Sequence, residues 1–340
     1  MLRPAAFDLY HDGLEAELKR VVGDRQSPLH AMVRYQLGWT DQMGMPETHA
    51  ASERAPGTLC LACAEAVSGD PARVMPAAAA IELAHAFGAI HDSIREGTPG
   101  GASQPKLWWV WGHAQGINAG DGMYALARLA LMGLEANGVP AETVVRAVAC
   151  LDRACLELCE RRYVEIESES MSQGAPESVA QVLNGDVALT GCAAELGALV
   201  GGAGAGTVAA LAEFGRETAA ASKIRHEIHS LWTATPEART SVVEALDKRR
   251  TLPVRYALHV ATGEARARLD AAARREAVLG DERVDELLRL LEELGARSYA
   301  AQTAQRHAAE AMAALGRAEL DKDAAQRLEQ LANYLIGADR

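Results

Sequence analysis

Two short segments carry side chains whose types and spacing could do chemistry. In LAHAFGAIHDSIRE (residues 83–96) an apolar helical run ends in Asp92-Ser93-Ile94-Arg95-Glu96, and Gly97 and Pro99 follow at once. Asp92 and Glu96 stand four apart, so on a helix they share one face. Two carboxylates at the end of a buried helix offer a hard divalent cation its oxygen ligands, and the cation would draw in a phosphate-bearing ligand. The plain alternative is a solvated acidic pair at a helix end. The second segment, SKIRHEIHSLW (residues 222–232), places Lys223, His226, Glu227 and Ser230 on one helical face, where all four could look into one cavity. His226-Glu227-Ile228-His229 is not the zinc-protease pattern H-E-x-x-H, because its histidines are three apart. A structural or solvated set of charges is the alternative here too.

The elements that must position these residues are helical. Alanine, leucine, glutamate and arginine dominate, hydrophobic residues make up 49%, and Val-Ile-Thr alternation is scarce. Periodicity predicts helices over 8–22, 28–38, 58–68, 74–96, 107–137, 140–170, 176–200, 205–231, 236–247, 252–277, 280–295, 297–315 and 319–336, with a polar loop over 40–57. No strand, internal repeat or Pro/Ser-rich linker interrupts them, which predicts one all-α domain over residues 1–340. The Gly-rich run at 201–206 follows a helix rather than a strand and reads as a turn, not a phosphate loop.

Bulk properties narrow the partners. A net charge of −12 without a basic stripe argues against nucleic acid. No stretch of eighteen uncharged apolar residues predicts a membrane span, and the acidic N-terminus does not read as a signal peptide, so the expected location is cytoplasmic. Cys60, Cys63, Cys150, Cys155, Cys159 and Cys192 read as small core residues rather than zinc ligands or disulfides.

Together the two segments and their flanks resemble the aspartate-rich regions of trans-polyprenyl diphosphate synthases, the class I isoprenoid synthases. MPAAAAIELAHAFGAIHDSIREGTP is similar to that family's first region, and PKLWWVWGHAQGINAGDGMYALA to the stretch after it. GCAAELGALVGG and EFGRETAAASKIRHEIHSLW resemble the helices before and carrying the second region. DKRRTLPVRYAL and LANYLIGADR resemble the Lys-Lys-Thr-Leu-Pro segment and the C-terminus. The resemblance implies a single large helical bundle with a central prenyl-binding cavity, magnesium as cofactor, a homodimer, and a prenyl diphosphate of the farnesyl or geranylgeranyl class as substrate. In that chemistry fixed cations offset the negative charge building on departing diphosphate, while a dry cavity shields the allylic cation.

The chain departs from the family's pattern at charged positions. By the resemblance Asp92, Glu96, His226 and Glu227 are the metal ligands, with Asp92, Glu96 and Glu227 carrying catalysis. Ser93 replaces a middle carboxylate, and neutral His226 suits a hard ion poorly. Arg54, Lys223, Arg225, Arg249 and Arg250 are the candidates for diphosphate contact. Phe87, Trp108, Trp111, Asn118 and Phe214 are the candidates for the cavity wall, Trp109 and Trp232 being further rings. Ala86, Phe87 and Ala89 lie at the depth that would set chain length. Only Arg54 survives of the family's Gly-Lys-Arg-x-Arg-Pro segment, and Glu53 reverses a charge there. Gly101, Ala102, Gly185 and Asp186 replace further basic or polar groups. A carboxylate where isopentenyl diphosphate should sit is unfavourable, which predicts an impaired elongation site. The expected activity is therefore a magnesium-dependent terpene synthase or cyclase, or an unusual prenyltransferase, although aromatics are only 4% of the chain. The alternatives are a non-catalytic regulatory or isoprenoid-binding subunit, forming a heterodimer with a synthase, and an elongating polyprenyl diphosphate synthase.

Overall fold

The computed structural model describes residues 3–47, 53–97, 99–100, 105–170, 186–233, 251–273 and 281–337. Its helices are α1 (Ala6–Val22), α2 (Pro28–Gln36), α3 (Ala55–Ser68), α4 (Met75–Glu96), α5 (Leu107–Trp111), α6 (His113–Met132) and α7 (Ala141–Ser170). They continue as α8 (Asp186–Gly201), α9 (Ala205–Trp232), α10 (Leu252–Val260), α11 (Gly263–Ala273), α12 (Asp281–Glu293), α13 (Ala296–Arg317) and α14 (Lys322–Ile336). No β-strand occurs among the described residues, as the composition predicts. The helix expected over 236–247 lies outside them.

The ends obey local rules. Ser27 caps α2 by accepting from the His30 backbone N–H, with Pro28 in the first turn. Asp321 caps α14 through the Asp323 and Ala324 amides. Gly97 closes α4 in the left-handed conformation, with φ of 69°. Two continuous helices expected from periodicity are broken. The run 107–137 divides at Gly112, whose φ of 85° and ψ of 160° are not helical, and ends in a 3-10 turn at Gly133–Asn137. The run 252–277 divides at 261–263, where Ala261 is extended and buried in a satellite core and Gly263 follows with φ of 56°. Apolar spacing continues across both breaks, so periodicity does not mark them.

Helix α4 is the central element, packing on α6, α3, α8 and α1. Its Ala77, Ala78, Ala79, Ala80, Ile81 and Leu83 are fully buried, and small side chains let four helices approach it. The segment Ala72–Glu96 is long and apolar enough to cross a membrane by length and composition, but it is largely buried inside the bundle. Helix α9 packs chiefly against α13 and α8. The main core joins α1–α9 to the last two helices, and a smaller cluster of Leu231, Val254, Leu258, Leu269, Leu287 and Leu291 closes the far end of α9. The 201–206 run is a turn between α8 and α9, with Gly202 at φ of 91°. All six cysteines are free thiols. Five are buried as expected; Cys159, on α7, is exposed.

Candidate functional site

A cavity of about 690 Å3 opens between α3, α4, α8 and α9, within the range of small-molecule sites. Helix α4 lines it with Glu82, His85, Ala86 and Ala89, a stripe at helical spacing. Helix α9 faces them with Thr218, Ala219, Ser222, Lys223, His226 and Glu227. Arg54, Ala55, Pro56, Leu59, Gln36, Leu37, Thr190 and Leu335 complete the wall. Lys223, His226 and Glu227 thus reach one space, as their spacing predicts. Ser230 does not line it, since its hydroxyl donates to the Glu227 carbonyl. Arg225, one position off that stripe, is half-buried and also outside the lining.

Glu227 is buried and accepts from the Leu252 backbone N–H at 2.9 Å. Burial pushes its carboxyl up to about 7, against the opposing pull of Lys223, that amide and Arg255. Deeper in the cavity Glu82 is fully buried, accepts from the Gly57 amide at 2.7 Å, and is likewise pushed up to about 7 by burial. The sequence signal for Glu82 is a lone acid inside the apolar run AAAAIELAHAF. The Thr218 hydroxyl is buried without a partner.

At the end of α4 the acidic segment is not an open pair. Both oxygens of Asp92 are taken by Arg162 of α7, Nε donating to Oδ1 at 2.9 Å and Nη2 to Oδ2 at 2.8 Å. Arg162 Nη2 also donates to the Gly88 carbonyl at 2.8 Å. Arg95 reaches back to Asp92 at 3.5 Å and pairs with Glu165 of α7. The Ser93 hydroxyl donates to the Ile90 carbonyl, and Glu96 is exposed. Arg162, Arg95 and Glu165 escaped the sequence reading because their partners are about seventy residues away in the chain.

The cationic candidates divide. Arg54 lines the cavity, but its Nε donates to Glu15 at 2.7 Å and its Nη2 to the Leu37 carbonyl at 2.7 Å. The other Glu15 oxygen accepts from the Trp39 indole, so this buried pair is satisfied on the protein itself. Glu53 turns outward, accepting from Arg3 at 3.2 Å and from the Tyr334 hydroxyl at 2.6 Å. The carboxylate expected to repel a second diphosphate is therefore neutralised at the surface. Arg249, Arg250, Gly101, Ala102 and Gly185 lie outside the described residues.

The expected aromatic wall is absent from the cavity's described lining. Phe87 packs on Tyr124 and His91, Trp108 stacks on His113, and Trp111 meets the Tyr35 ring edge-on. Phe214 is fully buried, Trp232 belongs to the satellite core, and Asn118 and Trp109 are exposed on the outside. Phe87 is left out because the lining stripe on α4 runs through Ala86 and Ala89, which puts Phe87 on another side of the helix.

The magnesium ion implied by the resemblance fits this arrangement poorly. Such an ion demands near-octahedral oxygen ligands, and carboxylates that are free to give them. Asp92 has both oxygens committed to Arg162, and one oxygen of the buried Glu227 accepts from the Leu252 amide. Among the described residues the metal-ligating side chains gathered within 4.8 Å are Glu217, His307 and Glu310 between α9 and α13, not the four expected ligands. Glu217 is tied there to His307 Nδ1 at 2.5 Å.

Glu82 gives stability a defined pH dependence. Its folded value, about 7, lies above the ordinary 4.5, so between these the native state holds a proton that the unfolded chain releases. That stabilisation is present below about pH 4.5 and is lost as pH rises through about 7, by up to about 3 kcal/mol. Urea midpoints of wild type and Glu82→Gln at pH 5 and pH 8 check this. The variant is expected to lose less stability across the interval, and equal losses would contradict the assignment.

Comparisons with known proteins agree with this fold. Residues 41–291 match the polyprenyl synthetase family. The chain is 31% identical over 300 residues to a geranylgeranyl diphosphate synthase of Mycobacterium tuberculosis, covering 88% of this chain and 84% of that one. It is 28% identical over 324 residues to a (2E,6E)-farnesyl diphosphate synthase of the same organism, covering 93% and 88%. A solved polyprenyl synthetase from Streptomyces coelicolor superimposes with a TM-score of 0.83 at 26% identity, over 97% of each chain.

Proposed function

The chain belongs to the polyprenyl synthetase family, and from that premise we propose that it is a prenyltransferase acting on an allylic prenyl diphosphate. Its prenyl chain would lie along the Ala86–Ala89 stripe, with the diphosphate at the Lys223, His226 and Glu227 end of the cavity. The C1–O bond breaks, diphosphate leaves with the electron pair, and the double bond of isopentenyl diphosphate attacks C1. Loss of a proton then gives a longer prenyl diphosphate. The observation that carries this reading over a cyclase is the cavity itself, whose described lining offers alanines, hydroxyls and one ammonium but no aromatic face to cradle a folding cation. The outward turn of Glu53 also removes the repulsion that counted against a second diphosphate.

The test supplies purified protein with geranyl, farnesyl or geranylgeranyl diphosphate, with and without isopentenyl diphosphate, in magnesium and in EDTA. A longer prenyl diphosphate formed only with isopentenyl diphosphate is expected. Cyclic hydrocarbon formed without it would sink the reading. Ala86→Phe, which fills the cavity partway down, is expected to shift products at least one isoprene unit shorter, as read by chromatography of dephosphorylated products.

A second reading, an isoprenoid-binding subunit without turnover, is favoured by the Asp92–Arg162 pair, which leaves the first motif carboxylate neutralised. Activity that appears only beside a partner synthase would favour it. Either way the exposed faces of α6 and α7 carry Ile117, Leu129, Met132, Val145, Leu156 and Val164. These exposed apolar side chains support the proposed homodimer, and a homodimer mass by light scattering is the expected result.

A further inference from the structure

We infer that Arg162 takes the place of a divalent cation at Asp92, so that the end of α4 works as a metal-independent guanidinium site. The geometry is that of a permanent pair. Two parallel N–H···O bonds of 2.9 and 2.8 Å fit the planar fork of arginine to the carboxylate. A third bond, to the Gly88 carbonyl, ties the guanidinium to the last turns of α4 itself. The Phe87 ring lies 5.9 Å away, and the side chain is only 13% exposed. Arg162 can therefore not swing aside without leaving Asp92, a backbone carbonyl and an aromatic neighbour at once.

Around Asp92 charge is balanced by the protein itself: Asp92 has Arg162, and Glu165 has Arg95. A divalent ion gathers where carboxylates stand in excess of cations, and Asp92 already has its cation in Arg162. The guanidinium keeps a use beyond the pair. It carries five N–H donors, of which Nε and Nη2 serve Asp92 and Gly88, while Nη1 makes no hydrogen bond among the described residues. A guanidinium anchored by its own carboxylate, with Nη1 left over, can present that nitrogen to a diphosphate oxygen as a fixed, preoriented donor.

This rests on the reading that a diphosphate sits at the Lys223, His226 and Glu227 end of the cavity, whose lining stops at Ala89 on α4, one turn before Asp92, and the experiment separates the two. Isothermal titration of the full-length protein with inorganic diphosphate, in magnesium and in EDTA, is expected to give affinities within about twofold of each other. Affinity more than about tenfold tighter in magnesium would overturn the inference. Manganese alone, followed by the loss of its free electron-paramagnetic signal, tests the site without any diphosphate. Arg162→Gln frees Asp92 and is expected to bind manganese at least about tenfold more tightly than wild type, a gain abolished in Arg162→Gln/Asp92→Asn. Absence of that gain in a folded Arg162→Gln protein would also overturn it. Should Arg162→Gln fail to fold, the wild-type titrations decide alone. If no diphosphate binds under any condition while the manganese gain appears, the cavity reading falls and the metal replacement stands.

Discussion

Gly197→Val is expected to separate α3 from α8 and unfold the wall of the cavity. A Cβ at position 197 would lie 2.1 Å from the Cys60 carbonyl oxygen and 2.9 Å from the Cys63 Cβ. The first of these is backbone inside a helix, so no rotamer change relieves it. Cys60, Cys63 and Leu196 are fully buried, which leaves neither helix room to retreat without opening the core. Overpacking of this kind exceeds the usual range for an inserted methyl group, and a loss of at least about 3 kcal/mol is expected. The denaturant midpoint measures it, with Gly204→Ala as control, since nothing lies within 4 Å of a Cβ there. A Gly197→Val protein with an unchanged midpoint would show that the two helices do not cross as closely as described.

Periodicity carries the helices well because burial in a bundle repeats every three to four residues, and the same rule placed Lys223, His226 and Glu227 in one cavity. It could not locate the breaks at Gly112 and Ala261, where the apolar pattern runs on while the backbone turns. Nor could it assign partners. Asp92 and Glu96 look alike in the sequence, yet one is clamped by a guanidinium from α7 and the other is exposed. Glu53 and Arg54 are neighbours, but the structure sends Glu53 outward to Arg3 and Tyr334 and Arg54 inward to Glu15. A left-handed residue at Arg54, with φ of 50°, makes that divergence, and a motif comparison has no term for it. The cavity rings failed for a related reason. The presence of a ring in the sequence does not say where it points, whereas the lining is decided by which side of α4 faces α9.

Lys223→Glu is expected to abolish prenyl transfer while leaving the fold intact. Lys223 is the one lysine in the cavity's described lining, and it stands one helical turn from Glu227. It is only half-buried, so the substitution creates no cavity in the core. Its effect is electrostatic. Departing diphosphate gathers negative charge as the C1–O bond stretches, and a fixed ammonium in a poorly hydrated site offsets that charge better in the transition state than in the ground state. Removing one such group costs about a hundred- to a thousandfold in rate, and placing a carboxylate there adds repulsion, so kcat/KM is expected to fall by about a thousandfold or more. Lys223→Met, which removes the charge without reversing it, should fall between the two. A second consequence has a definite sign. The Lys223 ammonium holds the Glu227 carboxyl down against its burial, so either variant should raise the Glu227 value above about 7. A pH–rate profile of Lys223→Met that depends on ionised Glu227 then shifts its rising limb to higher pH. Wild-type activity in Lys223→Glu, with an unshifted profile, would remove the diphosphate from this end of the cavity. Loss of activity together with loss of helical circular dichroism would instead make Lys223 a structural residue, and inorganic diphosphate titration of the folded Lys223→Met protein separates the two.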